Sequence, residues 1–155
     1  MSIAWSETLA SGSAEIDRQH KELFERINDL LAALKKGGVD MAEVARIVAY
    51  LTEYVVFHFG TEEKLMDQYA YSSASGHKAQ HAQFIKVFQR LKDRMMKEGL
   101  NPPLQQETKE LVVDWLLNHI KYSDRALGAY LKLKNQPFSG HRSPERQDPP
   151  RRIVV

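Results

Sequence analysis

Apolar side chains recur along this chain with the period of an α-helix, in four long stretches. In the first, Ile16, His20, Leu23, Ile27, Leu30 and Leu34 are separated by alternating steps of four and three residues, which keeps one stripe turned toward neighbouring helices. In the second, Val44, Ile47, Leu51, Tyr54, His58 and Leu65 follow the same rule, with Glu62 one turn beyond His58. The third reads His77, His81, Phe84, Phe88, Leu91 and Met95. The fourth carries Val112, Trp115 and His119, then Asp124, Leu127 and Leu131 on a stripe displaced by one residue. No alternating strand pattern competes with these assignments.

Turn signals divide the stretches. Gly37 and Gly38 supply a left-handed stop after a first helix over residues 13–36. Asp40 caps a second over residues 40–69, with Glu43 placed to reach back to it. A break at residues 71–75 precedes a third helix that ends at Gly99, and Asn101 with Pro102 and Pro103 opens a fourth that extends to residue 134. Short connections between four such helices favour antiparallel neighbours, so the expected fold is all-α, an up-down-up-down four-helix bundle. The domain is expected to span residues 1–134. Residues 135–155 hold four prolines, scattered charge and a short apolar end, and are expected to be a disordered tail; residues 151–155 are a minor candidate for partner docking. His141 lies in that tail and receives no role.

Composition narrows the function classes. The chain has 155 residues, 43% of them hydrophobic, enough to bury one core. Its 22 basic side chains outnumber 20 acidic ones only through the tail, where four arginines face two carboxylates, so the body is neutral overall. Neither nucleic acid nor membrane insertion is expected. Without cysteine there is no disulfide, thiolate metal site or iron–sulfur cluster. The start lacks a basic segment followed by an apolar run, and no stretch approaches the ~20 apolar residues of a membrane helix, so the reading is a soluble, cytoplasmic protein.

The polar residues inside the stripes carry the chemistry. Measured from turn centres near Gly38, Tyr71 and Asn101, His20 lies 18 residues before the first turn and His58 20 after it. Glu62 lies nine before the second and His81 ten after it; His81 lies 20 before the third and His119 18 after it. At ~1.5 Å per residue these mismatches amount to ~1.5–3 Å, so all four helices deliver metal-capable side chains at one height. Each histidine alone would pass for an ordinary core residue, and His58/Glu62 or His77/His81 for a helix-face pair. Seven such groups together form a desolvated polar cluster that is costly unless cations bind it. Imidazoles and carboxylates suit iron, manganese or zinc. One step is irregular: five residues from His119 to Asp124 turn a regular helix by ~500°, leaving the pair ~140° apart. A π-bulge there would align them and absorb the slipped stripe. The alternative is a bent carboxylate on a regular helix, with Ala126 and Tyr130 facing inward.

These residues and their surroundings resemble the hemerythrins, in particular single-domain bacteriohemerythrins. The likeness covers residues 3–131: WSE at Trp5, EIDRQH ending at His20, HFGTEE from His58, HKAQH from His77 and WLLNHIKYSD ending at Asp124. Residues 72–75 replace a turn that often contains proline in the family. The resemblance implies two iron ions, one held by His77, His81 and His119 and the other by His20 and His58, with Glu62, Asp124 and an oxide or hydroxide bridging both. One position then stays open beside the His20/His58 iron. The implied activity is reversible dioxygen binding for storage, transport or local supply, without enzymatic turnover beyond a side reaction. Family positions for the oxygen pocket map to Leu23, Phe59, Trp115, Leu116 and Ile120, all apolar or aromatic. The alternatives are an oxygen or redox sensor acting on a separate signalling partner, and a di-iron oxidase or peroxidase; an oxygen-consuming enzyme is a further candidate partner. The ferritin-like oxidases use Glu-x-x-His pairs, which this chain lacks. A two-zinc hydrolase fits less well again, since no free carboxylate is evident to activate water.

Overall fold

A computed structural model describes residues 2–36, 38 and 40–135. Four helices built from these residues form the expected antiparallel bundle: α1 (Ala14–Lys35), α2 (Met41–Gln68), α3 (Ala74–Glu98) and α4 (residues 102–135). Their starts follow the capping residues. Ser13 accepts from the Ile16 amide, Asp40 from Ala42 and Asn101 from Leu104, the last with prolines in the first turn where an amide hydrogen is not needed. Glu43 does not act as the expected reciprocal cap but lies 3.7 Å from Lys36. Gly38 and Gly99 take the positive φ angles of 75° and 72° that end α1 and α3. The turn between α2 and α3 falls earlier than expected, because α2 stops at Gln68 and α3 already begins at Ala74. Ala70 adopts φ 50° there, and the Tyr130 hydroxyl donates to the Tyr69 carbonyl at 2.7 Å, tying the turn to α4. The expected tail, its candidate docking segment and His141 lie outside the described residues.

The stripes of α1 and α3 are buried as expected, every named position included. That of α2 differs at three places: Val48, Val55 and Met66 point inward, while Ile47, Tyr54 and Leu65 sit at the boundary. The seven-residue repeat of Val44, Leu51 and His58 is kept, and the contact between its members falls four residues on rather than three, which uses the other flank of the same helix face. Tyr54 turns outward far enough to lie under the Arg26 guanidinium at 4.8 Å.

The fourth helix is α-helical over Pro102–Lys109, Leu116–His119 and Arg125–Asn135, and π-helical over Glu110–Trp115 and Ile120–Asp124. The second π-segment is the widening expected between His119 and Asp124, and Leu127 and Leu131 are buried beyond it while Ala126 is exposed. The first was not anticipated. It lets both Val112 and Val113 face the core before the register reaches Leu116.

Ahead of α1, residues 2–13 run as an arm along the bundle. Ile3 exchanges two hydrogen bonds of 2.8 Å with the Asn28 carboxamide, and the Ser11 amide donates to Asp17. The arm crosses α4 at Gly128, where a Cβ would stand 2.2 Å from the Ser11 carbonyl oxygen, so only glycine admits this crossing. Among the described residues no helix is long and apolar enough to cross a membrane.

Candidate metal centre

All seven residues singled out from helical spacing meet in the interior: His20 on α1, His58 and Glu62 on α2, His77 and His81 on α3, His119 and Asp124 on α4. None is more than 4% exposed. Their donor atoms form two groups, Glu62, His77, His81, His119 and Asp124 in one, His20, His58, Glu62 and Asp124 in the other, each within 4.8 Å. The two carboxylates belong to both. Asp124 turns Oδ1 to His119 and His77 at 3.0 and 3.1 Å, and Oδ2 to His20 at 3.0 Å. Glu62 turns Oε2 to His81 and His77 at 3.2 and 3.3 Å, and Oε1 to His58 at 3.6 Å. Each carboxylate therefore presents one oxygen to each group.

Outer partners determine which ring nitrogen faces the centre. His58 Nδ1 donates to Gln19 Oε1 at 2.9 Å, His81 Nδ1 to Glu63 at 3.0 Å and His119 Nδ1 to Gln80 Oε1 at 2.8 Å. With Nδ1 carrying the hydrogen, the neutral ring keeps a bare lone pair on Nε2, aimed inward. His81 and His119 thus direct two lone pairs at each other with Nε2 atoms only 3.1 Å apart, and His77 Nε2 lies 3.0 Å from that of His119. Such contacts are repulsive without positive charge between them. They also match donors in adjacent positions around an octahedral ion, which metal–nitrogen bonds of ~2.1 Å would place ~3.0 Å apart. Both Glu62 oxygens, Asp124 Oδ1 and His58 Nε2 are buried without a hydrogen-bond partner, a cost that a cation would remove.

The electrostatics point the same way. Burial opposes charge on His77, yet the hydrogen bonds and fields of Asp124 and Glu62 prevail and push it up to about 9. His58 is raised against its own desolvation by Asp124 and Glu62. Burial likewise works against ionised Glu62 and Asp124, but the surrounding imidazoles hold Glu62 below the usual carboxylate value and Asp124 well below it. The cluster thus favours ionised carboxylates and added positive charge. Five imidazoles and two carboxylates with no thiolate fit iron, manganese or zinc.

Aromatic and aliphatic side chains close the centre off. Phe59 stacks on His81 with centroids 3.8 Å apart and planes at 5°, and Trp115 stacks on His119 at 4.7 Å and 8°. Leu23, Phe59, Leu116 and Ile120 are buried, whereas Trp115 is half-buried and covers the outer face of its histidine. Trp5, from the N-terminal arm, lies 6.3 Å from His20 and was not among the candidate site residues. Nor were Gln19, Glu63 and Gln80. Each is the chain neighbour of one cluster residue but serves a histidine on the next helix. Adjacency to His20, Glu62 and His81 was the available signal, but which side of the helix mattered was not readable from spacing.

Comparison with known proteins agrees with this geometry. The profile of the hemerythrin HHE cation binding domain matches residues 11–131. The chain is 33% identical over 122 residues to a bacteriohemerythrin of Pseudomonas aeruginosa (strain LESB58), spanning 79% of this chain and 76% of that protein. It is 28% identical over 120 residues to a myohemerythrin of Theromyzon tessulatum, spanning 77% and 86% respectively. The crystal structure of a wild-type hemerythrin superposes with a TM-score of 0.72 at 27% identity, covering 83% of this chain and 97% of that one.

Proposed function

Because this chain belongs to the hemerythrin family, we propose that its cluster holds two iron ions and binds dioxygen reversibly, for storage, transport or local supply. His77, His81 and His119 would hold one ion and His20 and His58 the other, with Glu62 and Asp124 shared between the two. The observation that carries this reading is the division of each carboxylate, one oxygen toward each histidine group. Ferrous iron supplies the electrons that dioxygen takes up on binding and gives back on release.

The protein's own groups do the rest. The first group has five protein donors and the second four, so the side of His20 and His58 is where a small ligand finds room. Leu23, Phe59, Trp115, Leu116 and Ile120 form the oxygen pocket and exclude water and external protons, which would otherwise drive the centre to an inert oxidised state. None of these five side chains is a strong acid, which favours release over turnover. The balance of five histidines to two carboxylates argues in the same direction, against an oxidase.

Metal analysis with visible spectroscopy tests the proposal. The reduced protein should contain two irons per chain, gain an absorption band in air and lose it when oxygen is removed. A single iron per chain, or colour that never reverses, would refute it.

A further inference from the structure

Three of the five histidines are held by an acceptor from the preceding helix: Gln19 of α1 holds His58 of α2, Glu63 of α2 holds His81 of α3, and Gln80 of α3 holds His119 of α4. Asp124 of α4 meets His20 of α1 directly and completes the circuit. The two histidine groups are unequally supported. Two of these acceptors serve the three-histidine group. In the other, His20 Nδ1 is buried without a partner, so Gln19 is the only outer hydrogen-bond partner of that group among the described residues.

Gln19 is fully buried, and its carboxamide has one orientation open to it. Its Nε2 donates to Glu15 at 2.7 Å and to Thr61 at 3.2 Å, using both hydrogens. Glu15 is itself fixed by the Arg18 guanidinium, at 2.7 and 2.8 Å to its two oxygens. The carboxamide oxygen therefore has to face His58, which has to carry its hydrogen on Nδ1 and turn the lone pair of Nε2 to the centre. A rotated amide would set its NH2 against that N–H.

We propose that Gln19 is a positioning residue that selects the tautomer and ring orientation of His58, and that the cation held by His20 and His58 depends on it while the other does not. The inference rests on the two-ion reading above. Outer partners of this kind typically change metal affinity by about 10–100-fold.

The test is anaerobic competition with a colour-forming ferrous chelator on the iron-loaded full chain, comparing wild type, Gln19→Leu and Gln80→Leu. Gln19→Leu should release one of two irons at about 10–100-fold lower chelator concentration and leave the other unchanged. In nitrogen-15 spectra of the loaded protein the Nδ1–H signal of His58 should exchange faster, while those of His81 and His119 stay. Gln80→Leu should instead weaken the iron held by His119. If both irons leave Gln19→Leu together, or neither shifts, the positioning role is overturned. Should wild type release only one iron per chain, the two-ion reading itself fails, and this inference with it. If Gln19→Leu does not fold, Glu15→Leu, which frees the amide to rotate, should show the same selective loss in smaller degree, and no selective loss would overturn the proposal.

Discussion

His119 and Asp124 stand five residues apart, yet His119 Nε2 and Asp124 Oδ1 lie 3.0 Å from each other. A regular helix would turn them ~140° apart. The π-helical segment Ile120–Asp124 absorbs the extra residue, so both project into the same centre and Leu127 and Leu131 return to the core beyond it. The widened turn is thus what lets one helix turn both His119 and Asp124 into the same cluster.

Removing either shared carboxylate should damage both halves of the centre. In Glu62→Ala or Asp124→Ala, iron content is expected to fall from two per chain to one or none, and reversible oxygen binding to disappear. Iron analysis of the purified variants checks this. A Glu62→Ala protein with two irons and normal reversible binding would show that Glu62 does not bridge.

Leu116 is 1% exposed and lies in the apolar core around the centre. Leu116→Asn should leave iron loading near two per chain and speed irreversible oxidation of the ferrous protein, because it admits water and a hydrogen-bond donor. Burying the amide should also lower stability by about 1–3 kcal/mol. The decay of the oxygenated spectrum over time reads the first effect, and an unchanged decay rate would count against a protective dry pocket.

The metal-free chain should lose stability in alkali. His77 moves from an ordinary 6.5 up to about 9 on folding, so its contribution is complete below 6.5 and is lost as pH rises through about 9. His58, also raised, adds to the same loss. Glu62 and Asp124 are lowered, so their contribution is present above the ordinary carboxylate range and is lost as pH falls through their depressed values. Thermal melting should therefore peak between about pH 5 and 6.5 without metal. With iron bound, the alkaline decline should vanish, since the metal requires deprotonated ligands. A metal-free chain more stable at about pH 9 than at about pH 6 would contradict this.

Gly128→Ala sets helix propensity against packing. Alanine favours a helix by about 1 kcal/mol, but its Cβ would stand 2.2 Å from the Ser11 carbonyl, and the obstacle is backbone rather than a flexible side chain. Packing should win. A net loss of about 1–3 kcal/mol is expected, a fall in Tm of roughly 3–10 °C. A calorimetric scan decides, and an unchanged or raised Tm would mean that the arm shifts freely off α4.

What could be read from the residues alone was whatever follows from rise and turn along a single helix. The helix starts at Asp40 and Asn101, the stripes of α1 and α3, the common height of seven cluster residues and the widening before Asp124 all depend on spacing within one segment and on short connections between segments. Tertiary structure decided how each helix is rotated against its neighbours. Rotation put Val48, Val55 and Met66 inward in place of Ile47, Tyr54 and Leu65, and called for the π-segment Glu110–Trp115. It also brought the arm over Gly128, Trp5 toward His20, and Gln19, Glu63 and Gln80 to histidines on other helices. A rotation of ~100° separates one residue from the next on a helix, so a ligand and its chain neighbour face different partners. Which partner each neighbour meets depends on the packing of all four helices together.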